Sequence, residues 1–451
     1  AYPGATVVVD SLEKALEFER RGALEELIGL IRRHAGATLL VTARTHAITA
    51  LFHHFFYDMS LAVVETPQLD DEELGAATRG RALLEGKPSE AGLRKVLRNP
   101  FYLRLALSYR ERNRSSLVDS TSDLRLLLWR EGVAPSTGPG AELAARRRAA
   151  FDDVCFRRTE GLSQFVSPPQ DVEAVAALVR DQVLAEDRQG WVSPAHDVFE
   201  DWSLFFQVER LVLAAQRNWA QMFSHIGTHS GLRRAFRFWV SERAAAGDTE
   251  AEALLDICIA GTGLPQLWRD EALVGLLRSE ACERLLSRYE TELWSDNSLL
   301  RRVVHMLRVA CKGPKNSIPE GVGNTEGAKE AHARLSMTQP VGRAWHRVVK
   351  LIHDNRTRLA EADWVWLAAL LEDVCQGSHE LPESTEMMGL VFDLAQHFLQ
   401  LHDDDWYRDE GLPKRYFELI TNTVGGAPDK AAAYFRQLQD DLTSEEQTQH
   451  R

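Results

Sequence analysis

Val7-Val8-Val9-Asp10-Ser11-Leu12-Glu13 opens with three β-branched residues and then turns acidic. A run of this kind predicts a short buried strand, because strands that are covered on both faces carry continuous apolar residues. Ligands of open α/β sheets bind beyond the carboxyl ends of the parallel strands. Asp10 therefore lies where we expect the chemistry of the N-terminal region to be done.

Two later segments, residues 38–42 and 61–66, share this design and predict two more strands. Between the first two strands, an amphipathic pattern from about residue 15 to residue 33 predicts a helix. A strand, a helix and a strand at this spacing form a βαβ unit, whose right-handed crossover makes the strands parallel. The sequence therefore predicts a small parallel α/β core in the N-terminal region.

The length and composition are those of a multidomain globular protein. The 451 residues suggest two or three domains. The formal charge of −13 argues against general binding to nucleic acid or to an anionic membrane. The 5 cysteines form no CxxC pair, and no apolar run reaches the roughly 18 residues of a membrane span. We expect reduced thiols and a cytoplasmic protein that does not enter the membrane.

The first strand end resembles the Walker B segment of STAND-class P-loop NTPases, in particular the NACHT-like group, which includes bacterial antiviral defence proteins. The resemblance implies that Asp10 helps to hold Mg²⁺ and that Glu13 orients the attacking water. The family usually has a second acid at the next position, where this chain has Lys14. Residues 39–44 resemble the sensor-1 strand, whose arginine, here Arg44, contacts the γ-phosphate with its fixed charge.

Two further segments resemble nucleotide-contacting parts of the same family. Asn99 and Pro100 are suited to cap and begin a helix, and they resemble the STAND helix start whose proline packs on adenine. Residues 196–202 resemble the histidine-bearing segment of the STAND winged helix, which implies that His196 contacts the β-phosphate of bound ADP. An ordinary cap and an ordinary helix start are the alternatives for these two segments.

A winged helix is also suggested by the order of elements around His196. The sequence predicts a helix over residues 171–184, a turn over 186–190, a short strand over 191–193 and then a helix. Winged helices often bind DNA, but this recognition helix carries little positive charge. Several acids in and after it would repel phosphate: Asp171, Glu173, Asp181, Glu186 and Asp187. The charge pattern therefore disfavours nucleic acid as a partner.

Beyond Arg217 the apolar spacing predicts helices to the end of the chain. The clearest helical segments are residues 273–277, 299–309, 345–352, 364–374 and 388–401. Residues 302–307 are echoed by residues 347–352, which is a weak indication of a repeat. Residues 312–327 form a breaker-rich loop. STAND proteins usually end in helical repeats that sense a ligand, so the resemblance implies a protein ligand for this region.

The phosphate-binding loop of P-loop NTPases, G-x-x-x-x-G-K-[ST], is absent from the sequence, which opens on Ala1. We therefore expect a fragment without the upstream half of an NTPase core. The predicted fold is multidomain and mostly α. Residues 1–110 form the rest of a parallel α/β P-loop NTPase core with its helical lid, residues 111–216 form a helical and winged-helix domain, and residues 217–451 form an α-helical, repeat-like domain.

The function that the resemblance implies is a signalling switch controlled by ATP and ADP, with a role in antiviral defence. ADP would keep the resting state closed, and Mg²⁺-ATP would permit assembly into a homo-oligomer. Whether ATP is hydrolysed stays open, because Lys14 departs from the family pattern. We expect ATP or ADP and Mg²⁺ as ligands.

Two alternatives from other classes stay open. A response-regulator receiver also ends one strand in an acceptor Asp and a later strand in Thr-Ala, as Asp10 and Thr42 do. It would need Lys-Pro after the following strand, where this chain has Glu65-Thr66-Pro67. The other alternative is a helical protein-interaction scaffold that binds no nucleotide.

Overall fold

The computed structural model of the protein is mostly helical, and it divides into two compact units. One unit comprises Ala1–Ala62 and Val240–Arg451, and the other is Val63–Trp239. The structure describes residues 6–10, 12, 21–34, 36–43, 51, 55–56, 64, 68–79, 91–110, 120–135, 141–161, 163–260, 263–295, 298–314, 338–377, 385–399, 432 and 436. The predicted division at residues 110 and 216 differs from these limits and stays a prediction.

The N-terminal segment contains the predicted βαβ unit. Strand β1 (Thr6–Val9), helix α1 (Arg21–Arg33) and strand β2 (Thr38–Val41) follow one another, and the two strands pair in parallel with Val9 opposite Val41. The predicted strand–helix–strand order and the parallel pairing are confirmed. Of the third predicted strand only Val64 is described, and it is exposed and not in a strand.

The prediction that the first strand is buried on both faces is wrong. Side chains alternate between the faces of a strand, and Val9, Leu39 and Val41 pack on the core of this segment. Val8 and Leu40, which are paired in register, are 62% and 54% exposed. Among the described residues, the core lies on one face of the sheet only: Leu12, Leu24, Ile28, Leu51, Phe55 and Phe56.

The unit formed by Val63–Trp239 is built from helices and one small hairpin. Its helices are α2 (Asp71–Thr78), α3 (Ala91–Leu97), α4 (Pro100–Arg110), α5 (Thr121–Gly132), α6 (Ala144–Gly161, after a 3₁₀ turn at Ala141–Leu143), α7 (Val172–Arg180), α8 (Asp197–Ala215), α9 (Trp219–Ile226) and α10 (Ser230–Ala245, which begins in this unit). Capping boxes at Asp70 and Ser120 begin α2 and α5. Helix α8 packs on α5 and α6, and α6 packs on α7.

The hairpin lies between α7 and α8. Strands β3 (Leu184–Glu186) and β4 (Val192–Pro194) pair antiparallel, and Val166 forms a bridge to Val192. The predicted helix over residues 171–184 is too long, since α7 ends at Arg180. Gln182 has a φ of 58°, and the Val183 N–H donates to the Leu178 carbonyl at 2.9 Å, which closes the helix and starts the hairpin.

The C-terminal helices pack in two layers, which we call the helical stack. Its helices are α11 (Thr249–Ala260), α12 (Gln266–Arg278), α13 (Cys282–Arg288), α14 (Glu290–Leu293), α15 (Ser298–Ala310), α16 (Ala344–Asp354), α17 (Asp363–Gly377) and α18 (Thr385–Leu399). In one layer α12 contacts α15 and α15 contacts α17, and in the other α13 contacts α16 and α16 contacts α18. Helices are confirmed at each of the five predicted segments, the last of them as far as Leu399, and residues 400–401 lie outside the described part of the chain.

Charged side chains link neighbouring helices of the helical stack. Arg288 pairs with Glu252 at 2.7 Å, Arg302 with Asp270 at 2.6 Å and Arg308 with Asp373 at 2.6 Å, so these bonds join α13 to α11, α15 to α12 and α15 to α17. The echoing segments noted in the sequence lie in α15 and α16, in opposite layers. The first arginine of each segment bonds a side chain of the preceding helix in its own layer: Arg302 pairs with Asp270 of α12, and Arg347 donates to Ser287 of α13 at 2.7 Å.

The prediction that the chain is helical throughout beyond Arg217 is wrong for two short segments of its described part. Strands β5 (Lys312–Pro314) and β6 (Thr338–Pro340) pair antiparallel. Pro314 lacks a backbone N–H and disfavours a continuation of the helix, and strand pairing satisfies the backbone of this segment instead. The predicted loop over residues 312–327 is therefore a strand at its start, and its residues 315–327 lie outside the described part of the chain.

Four cysteines are described in full, and all four are buried thiols that form no disulfide: Cys155, Cys258, Cys282 and Cys311. Burial raises the pKa of the Cys258 thiol to about 12 and that of the Cys282 thiol to about 11. These thiols stay protonated at neutral pH and serve as small core residues.

We expect Gly231→Ala to destabilise the unit formed by residues 63–239 by about 1–3 kcal/mol. A Cβ atom at this position would lie 2.7 Å from both Cγ2 and Oγ1 of Thr159 and 3.2 Å from Cδ1 of Leu204, so α10 could no longer approach α6 and α8. Urea unfolding followed by circular dichroism measures the change. Gly75→Ala is the matched control. No atom lies within 4 Å of a Cβ added at Gly75, and alanine stabilises a helix by about 0.5–1 kcal/mol relative to glycine. Equal effects of the two substitutions would contradict the packing argument.

Candidate functional site

The two strand ends of the N-terminal segment lie side by side. The Thr42 hydroxyl donates a hydrogen bond to the Asp10 carboxylate, which joins the ends of β1 and β2. The Leu12 N–H donates to the Thr42 carbonyl at 2.9 Å, and the Thr42 N–H donates to the Val9 carbonyl at 3.0 Å. Both Asp10 and Thr42 are exposed. The structure therefore places Asp10 at the carboxyl edge of a parallel sheet, within reach of a ligand.

The side chains at this edge suit a Mg²⁺ ion that is held jointly by the protein and by the phosphates of a ligand. Mg²⁺ usually keeps several waters and is held by one or two carboxylates together with substrate phosphates. Asp10 offers a carboxylate and Thr42 a hydroxyl. The described part of the chain contains no group of three or more His, Cys, Asp or Glu side chains that could hold a metal by itself. Glu13 and Arg44, the other predicted residues of this edge, lie outside the described residues.

In the unit formed by residues 63–239, the predicted start of α4 is confirmed. The Asn99 side-chain oxygen accepts a hydrogen bond from the Phe101 N–H at 3.0 Å, and the Asn99 carbonyl accepts one from the Leu103 N–H at 3.0 Å. Pro100 is the first helical residue and is exposed. The cap fixes the direction in which α4 leaves the preceding loop.

His196 lies at the N-cap position of α8, with extended backbone angles and without a side-chain capping bond. Its imidazole is exposed and meets the Phe101 ring edge to face, with 4.8 Å between the ring centroids and 61° between the ring planes. The sequence predicted His196 and the Asn99–Pro100 helix start as separate candidates. The structure brings them together through Phe101, a residue that the sequence did not single out.

Five rings form a closed circuit between α4 and α8, which we call the ring cluster. After the Phe101–His196 contact, the centroid distances around it are 6.4 Å from His196 to Phe199, 5.6 Å from Phe199 to Trp202, 6.2 Å from Trp202 to Tyr102 and 5.7 Å from Tyr102 to Phe101. Phe199 and Trp202 are buried. The ring cluster therefore connects the exposed imidazole to the interior of the unit.

A buried ion pair holds the first turn of α8 against α6. Glu200 follows His196 by one helical turn and is 8% exposed, and Arg158 donates to its carboxylate at 2.9 Å. Burial raises the pKa of the Glu200 carboxyl, and the positive charge of Arg158 opposes this increase. Burial also raises the pKa of the neighbouring Cys155 thiol. Glu200 and Cys155 are part of the buried packing around the start of α8, and neither is exposed to a ligand.

No model of a known protein family matches the sequence. No curated protein matches it either. Within the described part of the chain, none of the helices combines the length and apolar character that crossing a membrane requires. The resemblance of residues 7–13 and 196–202 to STAND proteins therefore stays a hypothesis.

Proposed function

We propose that the chain belongs to a nucleotide-controlled signalling switch of STAND type, in which ADP holds the resting state and Mg²⁺-ATP permits assembly into a homo-oligomer. The contact between Phe101 and His196 carries the proposal, because it joins two segments that the family resemblance assigns to the nucleotide and that are remote in sequence. Pro100 offers an apolar face for a base, and His196 offers a ring N–H for a phosphate. Asn99 fixes the helix start that presents Pro100.

The edge of the parallel sheet supports the Mg²⁺ part of the proposal. Asp10 would hold the ion directly or through water, with Thr42 orienting the carboxylate. Bound Mg²⁺ supplies positive charge that offsets the charge of the phosphates. The roles of Glu13 in orienting water and of Arg44 at the γ-phosphate belong to the same proposal and rest on the family resemblance.

The remaining parts of the chain are assigned by the order of their elements. We propose that α6, α7, the hairpin and α8 form a winged helix, and that the helical stack senses a protein ligand. Two acids at the start of α7 form ion pairs with the same arginine: Arg146 binds Asp171 at 2.6 Å and Glu173 at 2.8 Å. Arg146, Asp171 and Glu173 together keep a net negative charge, which disfavours nucleic acid as a partner. A cytoplasmic location and a role in antiviral defence are part of the proposal.

We expect the full-length protein, purified natively, to release ADP on denaturation, and His196→Ala to lose most of it. Removing a hydrogen bond to a charged group costs about 1.5–3 kcal/mol, which is roughly 10- to 100-fold in affinity. Chromatography of the released nucleotide measures the content. His225→Ala is the matched control, because His225 is an exposed histidine of the same unit whose ring bonds the Gln221 carbonyl at 2.7 Å. Asp10→Ala belongs to the same series, and we expect it to lose the Mg²⁺-dependent binding of added ATP.

The outcomes separate the proposal from its alternatives. Absence of nucleotide from every sample, together with no binding of added ADP or Mg²⁺-ATP, would favour a helical scaffold. Labelling of Asp10 by acetyl phosphate, lost in Asp10→Asn, would favour a receiver. The hydrogen bond from Thr42 to Asp10 is compatible with that second function as well. ADP content that is equal in His196→Ala and His225→Ala would remove His196 from the proposed site.

A further inference from the structure

We infer that Phe101 is a positioning residue that orients the imidazole of His196 and couples the start of α4 to the start of α8. The inference rests on the proposed function and extends it to a residue that no nucleotide-binding pattern in the sequence contains. It starts from the ring contact of 4.8 Å between Phe101 and His196. Of the two ring contacts of His196 within the ring cluster, this one is the shorter.

The Phe101 ring is held in place from two sides. Its backbone N–H is bound by the Asn99 side chain at 3.0 Å, so the residue cannot shift without breaking the cap of α4. Its ring meets Tyr102 at 76° between the ring planes, and Tyr102 in turn packs on Trp202 of α8. Phe101 is therefore a fixed surface against which a more exposed ring can be placed.

His196 gains the most from such a surface. It is exposed and lies at the boundary of a helix, where its side-chain torsions are less restricted than in the core. An edge-to-face contact between rings depends on the aromatic quadrupole, so an aliphatic side chain of similar size does not replace it. An imidazole that is already oriented loses less freedom when a phosphate binds. Phe101 would thereby raise the affinity of the proposed site without touching the nucleotide.

Phe101→Leu tests the inference, because it keeps an apolar side chain and removes the ring. In the absence of nucleotide, we expect the ring-proton signals of His196, assigned by comparison with His196→Ala, to lose an aromatic shift of a few tenths of a part per million. We expect ADP affinity, measured by calorimetry with Mg²⁺, to fall on the order of fivefold. Phe101→Tyr keeps an aromatic ring, so we expect it to keep both the His196 ring-proton shift and the ADP affinity of the wild type.

Phe156→Leu is the matched control. Phe156 also meets a histidine edge to face, His229 at 6.4 Å and 75°, but outside the ring cluster. We expect it to leave the His196 signals and ADP affinity unchanged. If the wild type binds ADP and Phe101→Leu binds it equally well, the positioning role is overturned while the proposed function stands. If the wild type binds no ADP, the proposed function fails and the role at a nucleotide fails with it, whereas the His196 signals still show whether Phe101 orients the ring.

Discussion

Replacing Arg147 by alanine is expected to lower the free energy of unfolding of the unit formed by residues 63–239 by about 3–5 kcal/mol. The Arg147 side chain is only 2% exposed. It donates to the Asp181 carboxylate at 2.6 Å, to the Gly132 carbonyl at 2.8 Å and to the Val133 carbonyl at 3.0 Å. These carbonyls end α5, where the last turn of a helix lacks partners of its own. One guanidinium therefore completes the ends of α5 and α7 together.

Arg146→Ala is the control for Arg147→Ala. Arg146 precedes it on the same helix and binds two acids of the α7 start, but its side chain is 48% exposed, so water can replace its hydrogen bonds. We expect a much smaller loss of stability. Urea unfolding gives the free energies, and hydrogen exchange assigns the loss to α5 and α7. If Arg147→Ala and Arg146→Ala were equally destabilising, burial of the Arg147 hydrogen bonds would not be the cause.

Asp363→Ala is expected to destabilise the helical stack by about 3–5 kcal/mol. The Asp363 side chain is fully buried, at 0% exposure. One carboxylate oxygen accepts bonds from Arg301 at 2.6 and 2.8 Å and from the Trp366 ring N–H at 2.9 Å, and the other accepts the Ala360 N–H at 2.9 Å. Removal of the carboxylate breaks the start of α17 and its link to α15. Hydrogen exchange of these two helices measures the effect.

Two further variants sharpen the test at Asp363. Asp363→Asn keeps the shape of the side chain but loses the negative charge opposite Arg301. Both oxygens of Asp363 accept hydrogen bonds, so the amide N–H₂ that replaces one of them would face an N–H donor. We expect a loss of about 2–4 kcal/mol. Asp354→Ala removes a carboxylate that is 48% exposed at the end of α16, the preceding helix in the chain, and its cost should stay below about 1 kcal/mol. Similar costs for Asp363→Ala and Asp354→Ala would show that the buried bonds are replaced by water.

The parts of the fold that could be predicted are those set by neighbouring residues. Asn99 before Pro100 is a local signal for a helix start, and Asn99 caps as expected. Asp70 and Glu73 form a capping box, which is a signal of the same local kind. The end of α7 could not be predicted, because Gln182 takes the left-handed conformation where glycine is the usual signal. Strands β5 and β6 were missed because they are only three residues long and far apart in sequence.

The candidate site divides in the same way. Asp10 could be placed at a sheet edge because the βαβ pattern fixes where a parallel strand ends. The hydrogen bond from Thr42 follows from that pairing once the register is known. The contact between Phe101 and His196 could not be predicted, because Phe101 occupies an ordinary apolar position of a helix and its partner is remote in sequence. Contacts of this kind depend on how α4 and α8 pack.

The helical stack has a consequence for how changes spread along the chain. Each helix contacts its neighbours, with links such as Arg302–Asp270 and Arg308–Asp373 at the junctions. In such an array the total stability is approximately a sum of terms for single units and for adjacent junctions. A disturbance then decays from one junction to the next, and a strong junction carries it further. If a ligand binds at one end of the helical stack, as proposed, the arginine pairs would help to determine how many helices along the stack respond to it.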